Sequence, residues 1–134
     1  MMLIKLGLIV KSRNALIKLN NTEGLDSITA YRILKNSNAI DKELKIYDEH
    51  QTKLVNKYCD KSEDGKPLVE NGGFKVTGKN YEKYVEELES IFNEDVDISI
   101  KRISIESIMN AGLSPAQIGS IEYMLVLENA EREE

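Results

Sequence analysis

Asp26-Ser27-Ile28-Thr29-Ala30-Tyr31-Arg32-Ile33-Leu34-Lys35-Asn36-Ser37-Asn38-Ala39-Ile40 opens a run that continues to Tyr58-Cys59 without a proline or a glycine. Within it Ile33, Ile40, Tyr47 and Leu54 recur every seven residues. Ala30, Ser37, Leu44, Gln51 and Tyr58 form a second row of the same seam. This is helical spacing on a narrow stripe, as in a helical hairpin or a coiled coil. At 1.5 Å per residue such a helix is about 50 Å long. Ser37 and Gln51 interrupt the stripe, which points to antiparallel packing within the chain more than to a regular parallel dimer.

Upstream, Met1 to Val10 is apolar, and its first residues fit a short strand. From about Leu8, Ile9, Leu16 and Leu19, with Ser12 between them, suit one helical face. Asn20-Asn21-Thr22-Glu23-Gly24 ends that helix. The short connection after it suits a fold-back of this helix onto the long one. The apolar start carries Lys5, is followed by Lys11 and Arg13, and has no small-residue cleavage site. It is too short and interrupted for a signal peptide or a membrane span.

Downstream, Asp60 to Pro67 is a polar turn. Leu68-Val69-Glu70 and Phe74-Lys75-Val76 then flank Asn71-Gly72-Gly73, a hairpin signal because Asn-Gly accepts positive φ. Asn80 is placed to cap a second helix whose face is Tyr81, Tyr84, Val85, Leu88 and Phe92. Val96, Ile98 and Ile100 alternate with Asp95, Asp97 and Ser99, the period of a half-buried strand. Ser104 caps a short helix that ends near Gly112. Ser114-Pro115-Ala116-Gln117 is a stronger helix start: Ser at the cap, Pro at the first helical position, Gln three after the cap.

The expected fold is a single, mainly helical α+β domain over residues 1–134. Residues 1–60 form a helical hairpin with the long helix, 61–79 a small β-hairpin, 80–127 a smaller C-terminal helical lobe, and 128–134 an acidic tail. Its 134 residues, 41% hydrophobic and 31% charged, suffice for one core under a well-solvated surface.

The order of these signals, built from common residues, carries a resemblance. Ala30-Tyr31-Arg32-Ile33-Leu34-Lys35-Asn36 runs into Asp41-Lys42-Glu43-Leu44 and Lys53-Leu54-Val55-Asn56-Lys57-Tyr58. The acidic turn Glu63-Asp64-Gly65-Lys66 precedes the hairpin. Tyr84 to Phe92 leads to Asp95-Val96-Asp97-Ile98, and Leu113-Ser114-Pro115-Ala116-Gln117-Ile118 opens the last helix. Over about residues 25–125 the chain resembles a group of short phage and prophage proteins of low-GC bacteria whose function is not established. The resemblance implies a structural or accessory phage role and supplies no catalytic residues.

Chemistry-bearing residues are few. With 23 acidic and 18 basic residues the net charge is -5, which argues against a grip on nucleic acid by the whole chain. Residues 1–20 hold Lys5, Lys11, Arg13 and Lys18 and no acid, a basic start read as a solvated helix face. A single cysteine, Cys59, allows no intrachain disulfide and fits a reducing compartment. Asp60-x-Ser62-x-Asp64-Gly65 follows a helix as a calcium loop does. Its twelfth position is Asn71, though, where a bidentate Glu is needed, and its eighth is Pro67, so the segment reads as a turn. Asp95 and Asp97 share a strand face and have no His or Cys nearby in sequence to complete a metal set. His50, the only histidine, sits between Glu49 and Gln51. Its neighbour Asp48 is two residues away, so neither acid faces it on a helix. No phosphate-cradling Gly-Lys-Ser/Thr loop exists.

No enzyme, cofactor or metal is therefore expected. The expectation is a phage or prophage protein that acts through protein–protein contacts, as a virion or assembly accessory component. It would reside in the host bacterial cytoplasm or in the virion, without membrane association. The alternative is an early phage protein that binds and inhibits a host defence protein, and a small enzyme or metal-binding protein comes third. The partner is a phage structural or host protein, or a second copy of the chain. Tyr47, Leu54 and Tyr58 on the distal seam and Asn71 and Phe74 at the hairpin tip are the expected contact residues.

Overall fold

The computed structural model describes residues 2–61, 63, 65, 66, 68–70 and 73–126. Its spine is a 32-residue helix, α3 (Ser27–Tyr58). Asp26 caps it, its carboxylate accepting from the Thr29 amide at 3.1 Å. Before α3 come β1 (Met2–Lys5), α1 (Leu6–Lys11) and α2 (Arg13–Asn20). After it come β2 (Val69–Glu70), β3 (Gly73–Phe74), α4 (Gly78–Phe92), β4 (Asp95–Ile98) and β5 (Ile103–Ser104). A 3-10 helix (Ile105–Ala111), α5 (Pro115–Ser120), a 3-10 turn (Glu122–Met124) and β6 (Leu125–Val126) complete the described chain. The fold is mainly helical α+β.

The helix expected from about Leu8 is broken at Ser12 into α1 and α2. Ser12 is fully buried; its Oγ donates to the Ile9 carbonyl at 2.7 Å and lies 2.8 Å from the Tyr123 hydroxyl. A side chain that returns to its own helix backbone loosens the helical ladder there. The break turns α2 to run back along α3. Arg13 pairs with Asp48 at 2.9 Å and Asn20 donates to Ser37 Oγ at 2.7 Å, so position rises on one helix as it falls on the other. The hairpin is antiparallel.

Those two polar contacts begin to explain the interruptions in the α3 stripe. Ser37, nearly buried, accepts from Asn20, and Gln51 donates through Nε2 to the Tyr84 hydroxyl. Both polar seam residues are satisfied inside the chain, as burial demands. At the first turn the buried position is Thr29, while Ala30 is exposed.

One core joins the first and last of the described residues. Ile9, Leu19, Ile33, Ile40, Ile103, Ile121 and Met124 are at most 1% exposed and belong to one cluster that also holds Ile4 and Ile98. The cluster reaches from β1 to residue 124, so the segment after α4 packs into the core of the helical hairpin. The largest non-local tie is β1 with β4, antiparallel in the register Met2–Ile98, Leu3–Asp97, Ile4–Val96 and Lys5–Asp95. β5 and β6 form a short parallel pair.

The strand expected through Ile100 ends at Ile98 because the next segment is held differently. Fully buried Asn36 donates through Nδ2 to the Lys101 carbonyl at 2.8 Å, and its Oδ1 accepts from the Lys101 amide at 2.7 Å. A side-chain amide thus reproduces, toward one residue, the pair of bonds a neighbouring strand would make. The capping box at Ser114 and Gln117 is complete, and Gly112 closes the 3-10 helix in the left-handed region (φ 76°).

Around the far end of α3 the chain folds tightly. The Asp60 amide donates to the Lys75 carbonyl, the Leu68 amide to the Asp60 carbonyl, and the Lys75 amide to the Leu68 carbonyl. β2 and β3 pair antiparallel beyond these bonds. α4 begins at Gly78, two residues before the expected cap Asn80. Thr77 occupies the cap position, with its hydroxyl turned to the Asp60 carboxylate at 3.0 Å.

Candidate functional site

The distal seam is the first place to look for a contact surface. α2 runs beside α3 only as far as Asp48, as the Arg13–Asp48 pair marks. Beyond it, Leu54 (4% exposed), Val55, Tyr58 and Cys59 would be open if nothing else reached them. They are buried, because α4 covers them. Tyr84, Val85, Leu88, Ile91 and Phe92 are half-buried, the state of an amphipathic helix laid over a small core. The Tyr47 and Phe92 rings stack at 5.9 Å between centroids. Lys57 pairs with Glu87 at 3.5 Å. The Tyr58 hydroxyl beside it, and then the Lys57 ammonium, hold the Glu87 carboxyl below the usual carboxylate range. Leu54 and Tyr58 are thus inaccessible to a partner in the folded chain. Tyr47 is half-buried against Phe92, and burial pushes its hydroxyl up in pKa. The reason is that the amphipathic face of α4, rather than a second molecule, fills the seam. Of the hairpin-tip residues, Asn71 lies outside the described residues, and Phe74 stands in β3 opposite Val69.

The turn considered for calcium puts Asp60 to another use: both its carboxylate oxygens accept from the Thr77 hydroxyl, at 3.0 and 3.1 Å. Ser62, Asp64, Pro67 and Asn71 of the same stretch lie outside the described residues. Asp95 forms an exposed ion pair with Lys5 at 2.9 Å, directly across the β1–β4 ladder. Asp97 is exposed on the same strand face. Among the described residues, no three His, Cys, Asp or Glu side chains come together as a metal set would require. His50 is exposed on α3. Cys59 is buried at the C-cap of α3, its amide bonded to the Val55 carbonyl at 2.7 Å.

The basic N-terminal stretch is drawn into the fold. Lys5 reaches Asp95 and the Asn93 carbonyl, Arg13 reaches Asp48, and Lys18 donates to the Gly112 carbonyl at 2.6 Å. Two of the segment's four charges, those of Lys5 and Arg13, are thereby paired with carboxylates.

The opposite side of α3 carries what the seam reading missed. Ile28, Tyr31 and Leu34 are 64%, 58% and 52% exposed. At three-residue spacing they lie next to one another along the helix. Single exposed apolar side chains are ordinary; an adjacent row is the more informative observation. The spacing was legible in the sequence, but it is subordinate there to the longer seven-residue pattern. No helix among the described residues is long and apolar enough to cross a membrane.

No protein-family model matches this chain, and neither a curated protein nor a solved structure is significantly similar to it.

Proposed function

We propose that this chain is a non-enzymatic phage or prophage protein that works through protein–protein contacts, as a virion or assembly accessory component in the host cytoplasm or the particle. The observation that carries the contact reading is the exposed row Ile28, Tyr31 and Leu34 on the outer face of α3. Covering a large aromatic and two aliphatic side chains removes several hundred Å² of apolar surface from water. The phage assignment rests on the order of sequence signals described above. The excess of 23 acids over 18 bases supports the alternative of a host-directed inhibitor, since acidic surfaces attract the basic faces of nucleic-acid-handling proteins.

The deciding variant is Tyr31→Asp, which leaves the core untouched. Light scattering over a range of concentrations should show the wild-type chain associating with itself and the variant monomeric. If the wild type is monomeric, the variant should lose capture of a phage structural protein from infected cells. A variant that keeps every association of the wild type removes this face from consideration. Recovery with purified virions favours the accessory role, and recovery with a bacterial protein alone favours the inhibitor.

A further inference from the structure

Where residues 99–101 pass α3, the two walls enclose a cleft of about 400 Å³ lined by Lys35, Asn38, Ala39, Lys42, Ser99 and Lys101. Three lysines, an asparagine and a serine are among the residues that line it, and no aspartate or glutamate is. In a chain of net charge -5 this is a local inversion of sign.

The arrangement follows from the fold. Lys35, Asn38 or Ala39, and Lys42 stand at helical spacing, so they share one side of α3. Asp41 and Glu43, the carboxylates next to Lys42 in sequence, are rotated about 100° to either side. The opposite wall is set by Asn36, whose paired bonds to the Lys101 backbone fix where Ser99 and Lys101 stand. Arg32 adds a second tie, donating to the Arg102 carbonyl at 2.9 Å. None of the three lysines is ion-paired with a described residue; Lys35 lies over the Tyr31 ring at 5.8 Å from its centroid.

From these observations we infer that the cleft binds a phosphate group. Lysines are point charges on flexible stems and suit a compact tetrahedral anion approached from several sides. The Asn38 amide and Ser99 hydroxyl supply neutral donors to the remaining oxygens. The overall negative charge of the chain speaks against a broad electrostatic grip, and this site is narrow. The phosphate belongs either to a free phosphorylated molecule or to the backbone of a nucleic acid strand.

The test is a titration of the full ¹⁵N-labelled chain with inorganic pyrophosphate at low ionic strength. Saturable shifts are expected at the Asn38, Ser99 and Lys101 amides, weakening with added salt. The double variant K42Q/K101Q, altered only at exposed side chains, should bind at least about tenfold more weakly with an unchanged unfolding midpoint. The pair K11Q/K79Q carries the same change in net charge outside the cleft and should bind as the wild type does. Absence of saturable shifts at millimolar pyrophosphate, or equal weakening in both double variants, would overturn the inference. A twelve-nucleotide oligothymidylate then separates the sources. Tighter, steeply salt-dependent binding through the same amides assigns the phosphate to a strand; binding no tighter than pyrophosphate assigns it to a free molecule.

Discussion

Replacing Asn36 by Ala should be the most informative single change in this fold. The side chain is fully buried and makes two hydrogen bonds, of 2.8 and 2.7 Å, to the two backbone groups of Lys101, 65 residues away. Each intramolecular bond contributes a net of about 1 kcal/mol, and the lost amide leaves a void beside Met124. Both bonds are only part-buried, which limits the penalty for leaving the Lys101 amide and carbonyl unpaired. The total is about 2–4 kcal/mol. Against a stability of about 5–15 kcal/mol for a domain, the variant still folds. With a urea dependence of about 2 kcal/mol per molar, its midpoint should fall by roughly 1–2 M. Asn36→Asp tests the geometry more sharply. It keeps the acceptor but turns an anionic oxygen toward the Lys101 carbonyl. Burial raises the carboxyl's pKa, so this variant should be least stable at neutral pH and recover as pH falls and the acid is protonated. An Asn36→Ala midpoint within about 0.3 M of wild type would refute the assignment of Asn36 as the tie that holds residues 99–101 to α3.

Leu54→Asp should unfold the distal half of α3, at a cost of at least about 3 kcal/mol, because Leu54 is 4% exposed under α4. Circular dichroism reads this as lost helix; a variant that stays fully helical and loses only self-association would mean the seam is an intermolecular surface after all. Gly7→Val should destabilise by about 1–3 kcal/mol, since a Cβ at Gly7 would already meet the Phe92 Cβ at 3.1 Å. A thermal midpoint equal to wild type would show that α1 and α4 separate freely at this point. Asp26, whose carboxyl is held below its ordinary value by hydrogen bonds from Thr29, stabilises the fold above that ordinary value near 3.8, and this contribution disappears as pH falls through the folded value. Asp26→Asn keeps the cap without the titration, so stability measured between about pH 2 and 5 should depend less steeply on pH in the variant; identical slopes would argue that Asp26 contributes nothing to acid unfolding.

α3, the β2–β3 hairpin and the start of α5 were legible because each rests on local chemistry; the last helix, expected to run on through Met124 and Leu125, ends at Ser120 and gives way to a 3-10 turn and β6. Asp26 caps a run free of Gly and Pro, Asn71-Gly72 signals a tight turn, and Ser114-Pro115-x-Gln117 writes out a capping box. The break at Ser12 was not legible, because no breaker residue stands there and the hydroxyl's second partner, Tyr123, is 111 positions away. The end of β4 at Ile98 escaped for a related reason: a single side chain on α3 takes over the backbone of residue 101. The distal seam was read as a contact surface because the sequence shows an apolar face on α3 and another on α4 without saying that they meet. Gln51 and Tyr84 were each visible as the polar member of its own face, and only the fold makes them partners. The lysine cleft was hidden in the same way, being assembled from two segments about 60 residues apart, neither of which is basic enough alone to draw notice.

The pairing of β1 with β4 also has a consequence for the order of events during synthesis. Met2 to Lys5 leave the ribosome well before their partners Asp95 to Ile98, which follow ninety or more residues later. At about 5–20 residues per second, that interval is roughly 5–20 s. During it Ile4, Leu6 and Ile9 have α2 and α3 to collapse against but no strand beside them. The hairpin of α2 and α3 can therefore form first, with the amino-terminal strand as its loose end. The last step of folding is then the capture of β1 by a strand made at least ninety residues after it.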